Sequence, residues 1–293
     1  MVTLRREDKV GKWYFGGAAG CMAVCFTHPL DTLKVNLQTQ QKVEYGLIGV
    51  GKKVIRDGGV LALYKGLSAA ILRQATYTTT RFGIYEVVKS YKKDGGLTFF
   101  EKVSLAGMAG FCGGFVGTPA DLVNVRMQND IKLPLDKRRC YKNAIDGMLR
   151  VYREEGVKRM WGGGLSASTR GMAMNIGQLA FYEQFKQMLI STVYFDDNLT
   201  THFTASTMAG SVATLMTMPL DVTKTRLMNA PPGTYSGIMA CVADIGRNGP
   251  AGFFKGFLPA FLRLAPHTIL TFVFLEQLRL RFGYYKDVQQ SPV

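Results

Sequence analysis

The sequence is short of the residues that most chemistry needs. It has 3 histidines, His28, His202 and His267, far apart along the chain. Its 5 cysteines, Cys21, Cys25, Cys112, Cys140 and Cys241, form no CxxC pair and are odd in number. They read as free thiols, not as a zinc or disulfide framework. No HExxH, GxSxG or GxxxxGK[ST] motif occurs, so no enzyme, metal or cofactor is expected. Acids are scarce as well: 21 Asp and Glu stand against 36 Lys and Arg, a net charge of +15. That balance points to an anionic partner: nucleic acid, lipid headgroups or an anionic solute. The first ten residues, MVTLRREDKV, are polar and carry no signal-peptide core. Membrane insertion is therefore expected to use internal segments.

Charge is missing altogether from three stretches, 13–30, 103–120 and 198–220. A helix needs about 20 apolar residues to cross a bilayer. Their glycines suit close helix packing in lipid. Mean hydropathy is only +0.05, so a chain that spans a membrane with these segments needs a polar interior.

What the sequence does have is a threefold repeat. Pro29, Pro119 and Pro219 end the uncharged stretches. Nine residues before each lies Gly20, Gly110 or Gly210, and thirteen before lies Gly16, Ala106 or Ser206. Two residues after each proline lies Asp31, Asp121 or Asp221; five after lies Lys34, Asn124 or Lys224. Each unit then runs to an aromatic–glycine turn, YKG (64–66), WGG (161–163) or FKG (254–256). Seven residues past its glycine stands Arg73, Arg170 or Arg263. Thirteen further on stands Glu86, Glu183 or Glu276, and three beyond that Lys89, Lys186 or Arg279. The expected units are 1–98, 99–198 and 199–293. Each reads as a helix, a polar connection with a short amphipathic helix, and a second helix. The helices are expected over 12–38, 66–91, 99–128, 163–190, 199–228 and 257–282. The second of each pair is interrupted by its arginine and is expected to score weakly on hydropathy. Arginine is tolerated there if it faces a cavity. The long connections carry sixteen Lys and Arg against two in the short ones, so they mark the positive side, with both termini opposite.

These residues resemble the mitochondrial carrier family, whose signature is Pro-x-Asp/Glu-x-x-Lys/Arg. PLDTLK, PADLVN and PLDVTK match it, and RQATYTTTRFGIYE and RLAPHTILTFVFLEQLR resemble its dicarboxylate-transporting members. The resemblance covers nearly the whole chain. It implies an all-α membrane protein: six transmembrane helices in a pseudo-threefold barrel, with short amphipathic matrix helices. It further implies the mitochondrial inner membrane, termini toward the intermembrane space, a functional monomer, and no nucleic-acid partner. The implied activity is exchange of malate, succinate or malonate for phosphate, sulfate or thiosulfate by alternating access. Oxoglutarate/malate exchange and uncoupling-type proton transport are the alternatives within the family. A nucleic-acid binder would cluster its bases on one exposed face, whereas here they recur at repeat-locked offsets beside acids. A channel would not need paired charges at both ends.

The resemblance also assigns residues. Proline is expected to kink the odd helices and bend their lower halves inward. A matrix gate then pairs Asp121 with Lys224 and Asp221 with Lys34, while Asp31 meets Asn124, which offers a hydrogen bond at best. Gln38 and Gln128 brace these pairs, with Met228 in the third place. Read alone, Asp31 and Lys34 would be a local i,i+3 pair. A cytoplasmic gate is implied from Glu86–Lys186, Glu183–Arg279 and Glu276–Lys89. Between the gates, Arg73, Arg170, Arg263 and the symmetry-breaking Arg81 are expected to bind a small dianion, because guanidinium forks match carboxylate and phosphate. Tyr77, Gln178 and His267 trim that pocket. Gly66, Gly163 and Gly256 begin the second helices, whose free N–H groups suit lipid phosphates, cardiolipin among them. Gly162 replaces the base found in the other two turns.

Overall fold

A computed structural model describes residues 9–10, 14–39, 46–91, 98–130, 133, 138–191, 199–231, 234–247 and 249–285. The repeat is visible at once in its helices. Repeat 1 gives α1 (Phe15–Gln38), α2 (Leu47–Gly58) and α3 (Leu67–Tyr91). Repeat 2 gives α4 (Phe99–Asn129), α5 (Ala144–Glu155), a single turn α6 (Val157–Met160) and α7 (Gly164–Ile190). Repeat 3 gives α8 (Leu199–Asn229), α9 (Ile238–Arg247) and α10 (Phe257–Phe282). Helical structure continues through Pro29, Pro119 and Pro219 in α1, α4 and α8.

Local chemistry sets the ends of these helices. Thr98 caps α4 through a capping box: its hydroxyl accepts from Glu101 N–H, and Glu101 Oε2 accepts from Thr98 N–H at 2.8 Å. Asn143 caps α5 by accepting from Asp146 N–H at 2.9 Å. The connection into each second helix turns at two left-handed glycines seven residues apart, Gly59/Gly66, Gly156/Gly163 and Gly249/Gly256, with φ between 73° and 90°. Only glycine takes that conformation without strain.

The six long helices follow one another around a ring that α10 closes by packing on α1. An antiparallel pairing of Lys9–Val10 with Tyr284–Tyr285 joins the same two repeats. The amphipathic helices α2, α5 and α9 each bury one apolar stripe: Val50 and Val54, Ala144 with Val151, and Cys241 with Ile245. Among the described residues, Phe99–Asn129 and Ala251–Phe282 are long and apolar enough to cross a membrane. The second of these corrects the expectation that every second helix scores weakly. α10 carries Arg263 within an otherwise apolar stretch and turns Phe261, Leu262, Ile269, Phe272 and Val273 outward.

The thiols differ sharply in setting. Cys140 is exposed; Cys241 is fully buried, and burial pushes its thiol up to about 11. At pH 8 only about a thousandth of such a group is thiolate, the reactive form. Maleimide labelling read by mass spectrometry is therefore expected to modify Cys140 first and Cys241 last, by more than about a hundredfold in rate. Equal rates would contradict the packing of α9.

Candidate functional site: two charged levels on one axis

Position two after each proline delivers an aspartate to the interior, and position five delivers a lysine in two repeats of three. Lys34 Nζ donates to Asp221 Oδ2 at 2.7 Å, and Lys224 Nζ contacts Asp121 Oδ2. The side chains of these two pairs are no more than 12% exposed. Helix–helix docking thus carries charge from repeat 3 to repeat 1 and from repeat 2 to repeat 3.

The arginines thirteen residues before the glutamates reach down to the same aspartates. Arg170 Nε contacts Asp221 Oδ1, Arg73 Nε lies 3.8 Å from Asp121 Oδ1, and Arg263 Nη1 donates to Asp31 Oδ2 at 3.0 Å. One expectation needs correction here. Asp31 is not left to Asn124: Arg263 neutralises it, and Asn124 Oδ1 makes no hydrogen bond among the described residues. It faces the start of α3, where a Cβ on Gly66 would fall 2.9 Å from it. The three arginines expected to bind the anion are themselves engaged. Each is matched to a carboxylate, so two aspartates hold both a lysine and an arginine and Asp31 holds an arginine alone.

A second correction concerns the glutamines. Gln38 and Gln128 are fully buried, yet among the described residues the amide nitrogen and oxygen of each have no hydrogen-bond partner, so neither is seen bracing an ion pair. Both line a cavity of about 80 Å³ that this charged level encloses. Its walls hold Lys34, Arg73, Arg170, Lys224 and Arg263 against Asp31, Asp121 and Asp221, a surplus of two positive charges.

Below this level lie two hydrogen bonds between repeats that the sequence reading missed. Seven residues after the prolines stand Asn36, Arg126 and Arg226. Asn36 Nδ2 donates to the carbonyl of Gln128 at 3.1 Å, and Arg126 Nε donates to the carbonyl of Met228 at 3.3 Å. Arg126 is fully buried and forks onto both oxygens of Glu155, with Tyr141 Oη 3.4 Å away. The fixed offset was a visible signal, but the acceptors across the repeats are backbone carbonyls and carry none.

Above the arginines opens a second cavity of about 180 Å³. Tyr77, Arg81, Gln178 and His267 line it, together with Arg73, Arg170 and Arg263. Among the described residues Arg81 has no carboxylate within 4 Å. Its Nη1 lies 3.4 Å from Asn175 Oδ1, and its guanidinium sits 5.4 Å from the Phe82 ring centre. His267 Nδ1 is 3.4 Å from Thr27 Oγ1.

The opposite end differs from expectation. Among the described residues Glu183 and Arg279 are not paired with each other; Arg279 instead lies 3.7 Å from Glu276 on its own helix. The side chains of Glu86 and Lys89 lie outside the described residues, so the pairs Glu86–Lys186 and Glu276–Lys89 do too. At this end a cavity of about 510 Å³ is lined by Arg81, Tyr85, Gln178 and Tyr182. The aspartates are therefore engaged on the lower level, while Glu183 and Arg279 are not joined to each other.

Comparison with known proteins agrees with this architecture. The family model described as "Mitochondrial carrier protein" matches residues 7–96, 95–193 and 195–286. The chain is 58% identical to the "Mitochondrial dicarboxylate carrier" of Caenorhabditis elegans, over 97% of this chain and 99% of that one. It is 42% identical to the "Mitochondrial dicarboxylate transporter" of Saccharomyces cerevisiae, over 98% and 99% of the two chains. It is 41% identical to the "Mitochondrial 2-oxoglutarate/malate carrier protein" of Bos taurus, over 94% and 91%. Three consecutive matches, one for each turn of the ring, establish that the chain belongs to the mitochondrial carrier protein family.

Proposed function

We propose that this protein resides in the mitochondrial inner membrane and exchanges small dicarboxylates for one another or for inorganic anions such as phosphate. The observation that carries the reading is the charge balance around the arginines. Five cations against three carboxylates leave room for two negative charges, and Arg81 adds a cation one level above. The similarity to the C. elegans dicarboxylate carrier supports the same substrate class.

In this reading Arg73, Arg81, Arg170 and Arg263 hold the anion, while Tyr77, Gln178 and His267 shape its surroundings. Asp31, Lys34, Asp121, Asn124, Asp221 and Lys224 form the matrix gate, and the buried Gln38 and Gln128 stand beside it. The cytoplasmic gate is drawn from Glu86, Lys89, Glu183, Lys186, Glu276 and Arg279. Because each aspartate of the lower gate also holds a site arginine, a dianion that engages two arginines loosens the carboxylates they held. Binding and opening are then one exchange of partners: differential contacts with the two states drive the transition. Buried ion pairs suit this task, since desolvation offsets much of their attraction and the net energy stays small.

Lipid phosphate is assigned to the N-termini at Gly66, Gly163 and Gly256, with cardiolipin as the lipid and a monomer as the working unit. A cavity of about 420 Å³ at the first of these is lined by Lys65, Gly66, Ser68 and Lys142, which supplies cations beside free N–H groups.

Oxoglutarate/malate exchange is the second reading, favoured by the 41% identity to the Bos taurus carrier. Counter-exchange in liposomes separates the two. Vesicles loaded with phosphate are expected to take up labelled malate; those loaded with oxoglutarate are expected to take up at least about tenfold less. Arg81→Ala is expected to raise the KM for malate about tenfold, the scale of one lost charge-assisted hydrogen bond. Normal malate uptake by that variant would overturn the anion site as drawn here.

A further inference from the structure

The glycines of α4 open a gap through which two side chains meet. Tyr77 comes from α3 and Asn175 from α7, and α4 lies between. A Cβ on Gly113 would fall 2.9 Å from the Tyr77 ring, and one on Gly110 would fall 2.5 Å from Asn175 Nδ2. Across this gap Asn175 Nδ2 donates to Tyr77 Oη at 2.6 Å and to the carbonyl of Gly171 at 2.7 Å.

The Gly171 carbonyl can only accept, so it fixes which end of the Asn175 amide is nitrogen. Both amide hydrogens are then used, and Oδ1 is left facing Arg81 Nη1 at 3.4 Å. Tyr77 accepts from Asn175, which frees its own hydroxyl proton for the cavity. Arg81 is further confined between the Tyr77 and Phe82 rings, 5.9 and 5.4 Å from their centres. A neutral amide is what the position requires. It orients a cation without cancelling it, where a carboxylate would neutralise Arg81 as the aspartates do the other three arginines.

We propose that Asn175 is a positioning residue for the anion site: it bridges α3 and α7 and aims the Arg81 guanidinium and the Tyr77 hydroxyl at the bound anion. The proposal rests on the reading of Arg81 as an anion-binding residue given above. Malate/malate counter-exchange in liposomes tests it. Asn175→Leu is expected to raise the KM for malate about tenfold and to change Vmax less than about twofold. In an Arg81→Ala, Tyr77→Phe background the same substitution is expected to change KM less than twofold, because its targets are gone. Asn175→Asp, which keeps the size of the side chain, is expected to raise KM further than Asn175→Leu by cancelling the Arg81 charge. An unchanged KM in Asn175→Asp, or an equal tenfold rise from Asn175→Leu in the doubly substituted background, would overturn the positioning role. If the Arg81→Ala, Tyr77→Phe protein itself keeps the wild-type KM, the anion site falls, and the role of Asn175 with it.

Discussion

Asp221→Asn is expected to lower malate exchange by at least about a hundredfold. Asp221 is only 4% exposed and holds two cations at once, Lys34 at 2.7 Å and Arg170 beside it. Removing its charge leaves both cations buried without their partner, and breaking one such pair typically costs about 3–5 kcal/mol. Each 1.4 kcal/mol is a factor of ten, so a hundredfold loss is the lower end of that range. The three aspartates are not equivalent, although the repeat makes them look so. Asp121 also holds a lysine and an arginine, and its replacement by asparagine is expected to match Asp221→Asn. Asp31 holds Arg263 and faces no lysine pair, because the third lysine position is Asn124. Asp31→Asn is therefore expected to retain roughly ten times more exchange than the other two. Initial rates of labelled malate uptake, compared at equal amounts of inserted protein, give the ranking. Three equal losses would show that the lysines contribute nothing beyond the arginines.

Gly110→Val is expected to abolish the folded carrier. At this crossing of α4 and α7 the two backbones touch: a Cβ on Gly110 would lie 2.8 Å from the carbonyl carbon of Gly171, and one on Gly171 would lie 3.2 Å from that of Gly110. Neither backbone can yield without moving its whole helix. Overpacking a well-filled core commonly costs 1–3 kcal/mol, and a clash with main chain belongs at or above about 3 kcal/mol. Size-exclusion chromatography in detergent should show little or no monodisperse protein. Gly210→Val provides the contrast within the same repeat position. There the added atom would meet the tip of Leu264 at 3.1 Å, a flexible side chain that can turn aside. That variant is expected to keep its elution profile. Equal tolerance at both positions would mean that α4 and α7 are not held by backbone contact.

Both expectations rest on a pattern that was readable before any coordinates. Proline, aspartate and lysine recur at constant offsets, but the resemblance to the carrier family was what paired Lys34 with Asp221 and Lys224 with Asp121; the offsets alone favoured a local Asp31–Lys34 pair. The glycines that open the second helices were plain, since an aromatic–glycine turn recurs before every arginine, but their left-handed backbone came only with the structure. The ion pairs of Arg73, Arg170 and Arg263 were not legible. Their thirteen-residue spacing pointed along the helix to glutamates, and spacing says nothing about which way a long side chain bends. Asn124 misled for a related reason: it marks a missing lysine but cannot reveal that Arg263 fills the vacancy at Asp31. Asn175 was invisible because it is neutral and repeats in no other unit. Its partners reach it only across a helix made thin by glycine, and contacts of that kind follow from three-dimensional packing alone.

The sharing of carboxylates between lysines and arginines has a further consequence for which solutes are refused. Arg73, Arg170 and Arg263 already sit beside tethered carboxylates, whose effective concentration at the guanidinium is in the millimolar range or above. A halide offers one charge and no second point of attachment. It must displace a tethered competitor one for one, so abundant chloride gains little from its abundance. In the proposed reading a dicarboxylate or a phosphate engages two arginines at once and displaces two carboxylates in one event. On that reading the protein's own acids act as resident competitive inhibitors and set a threshold of valence that a passing anion has to meet.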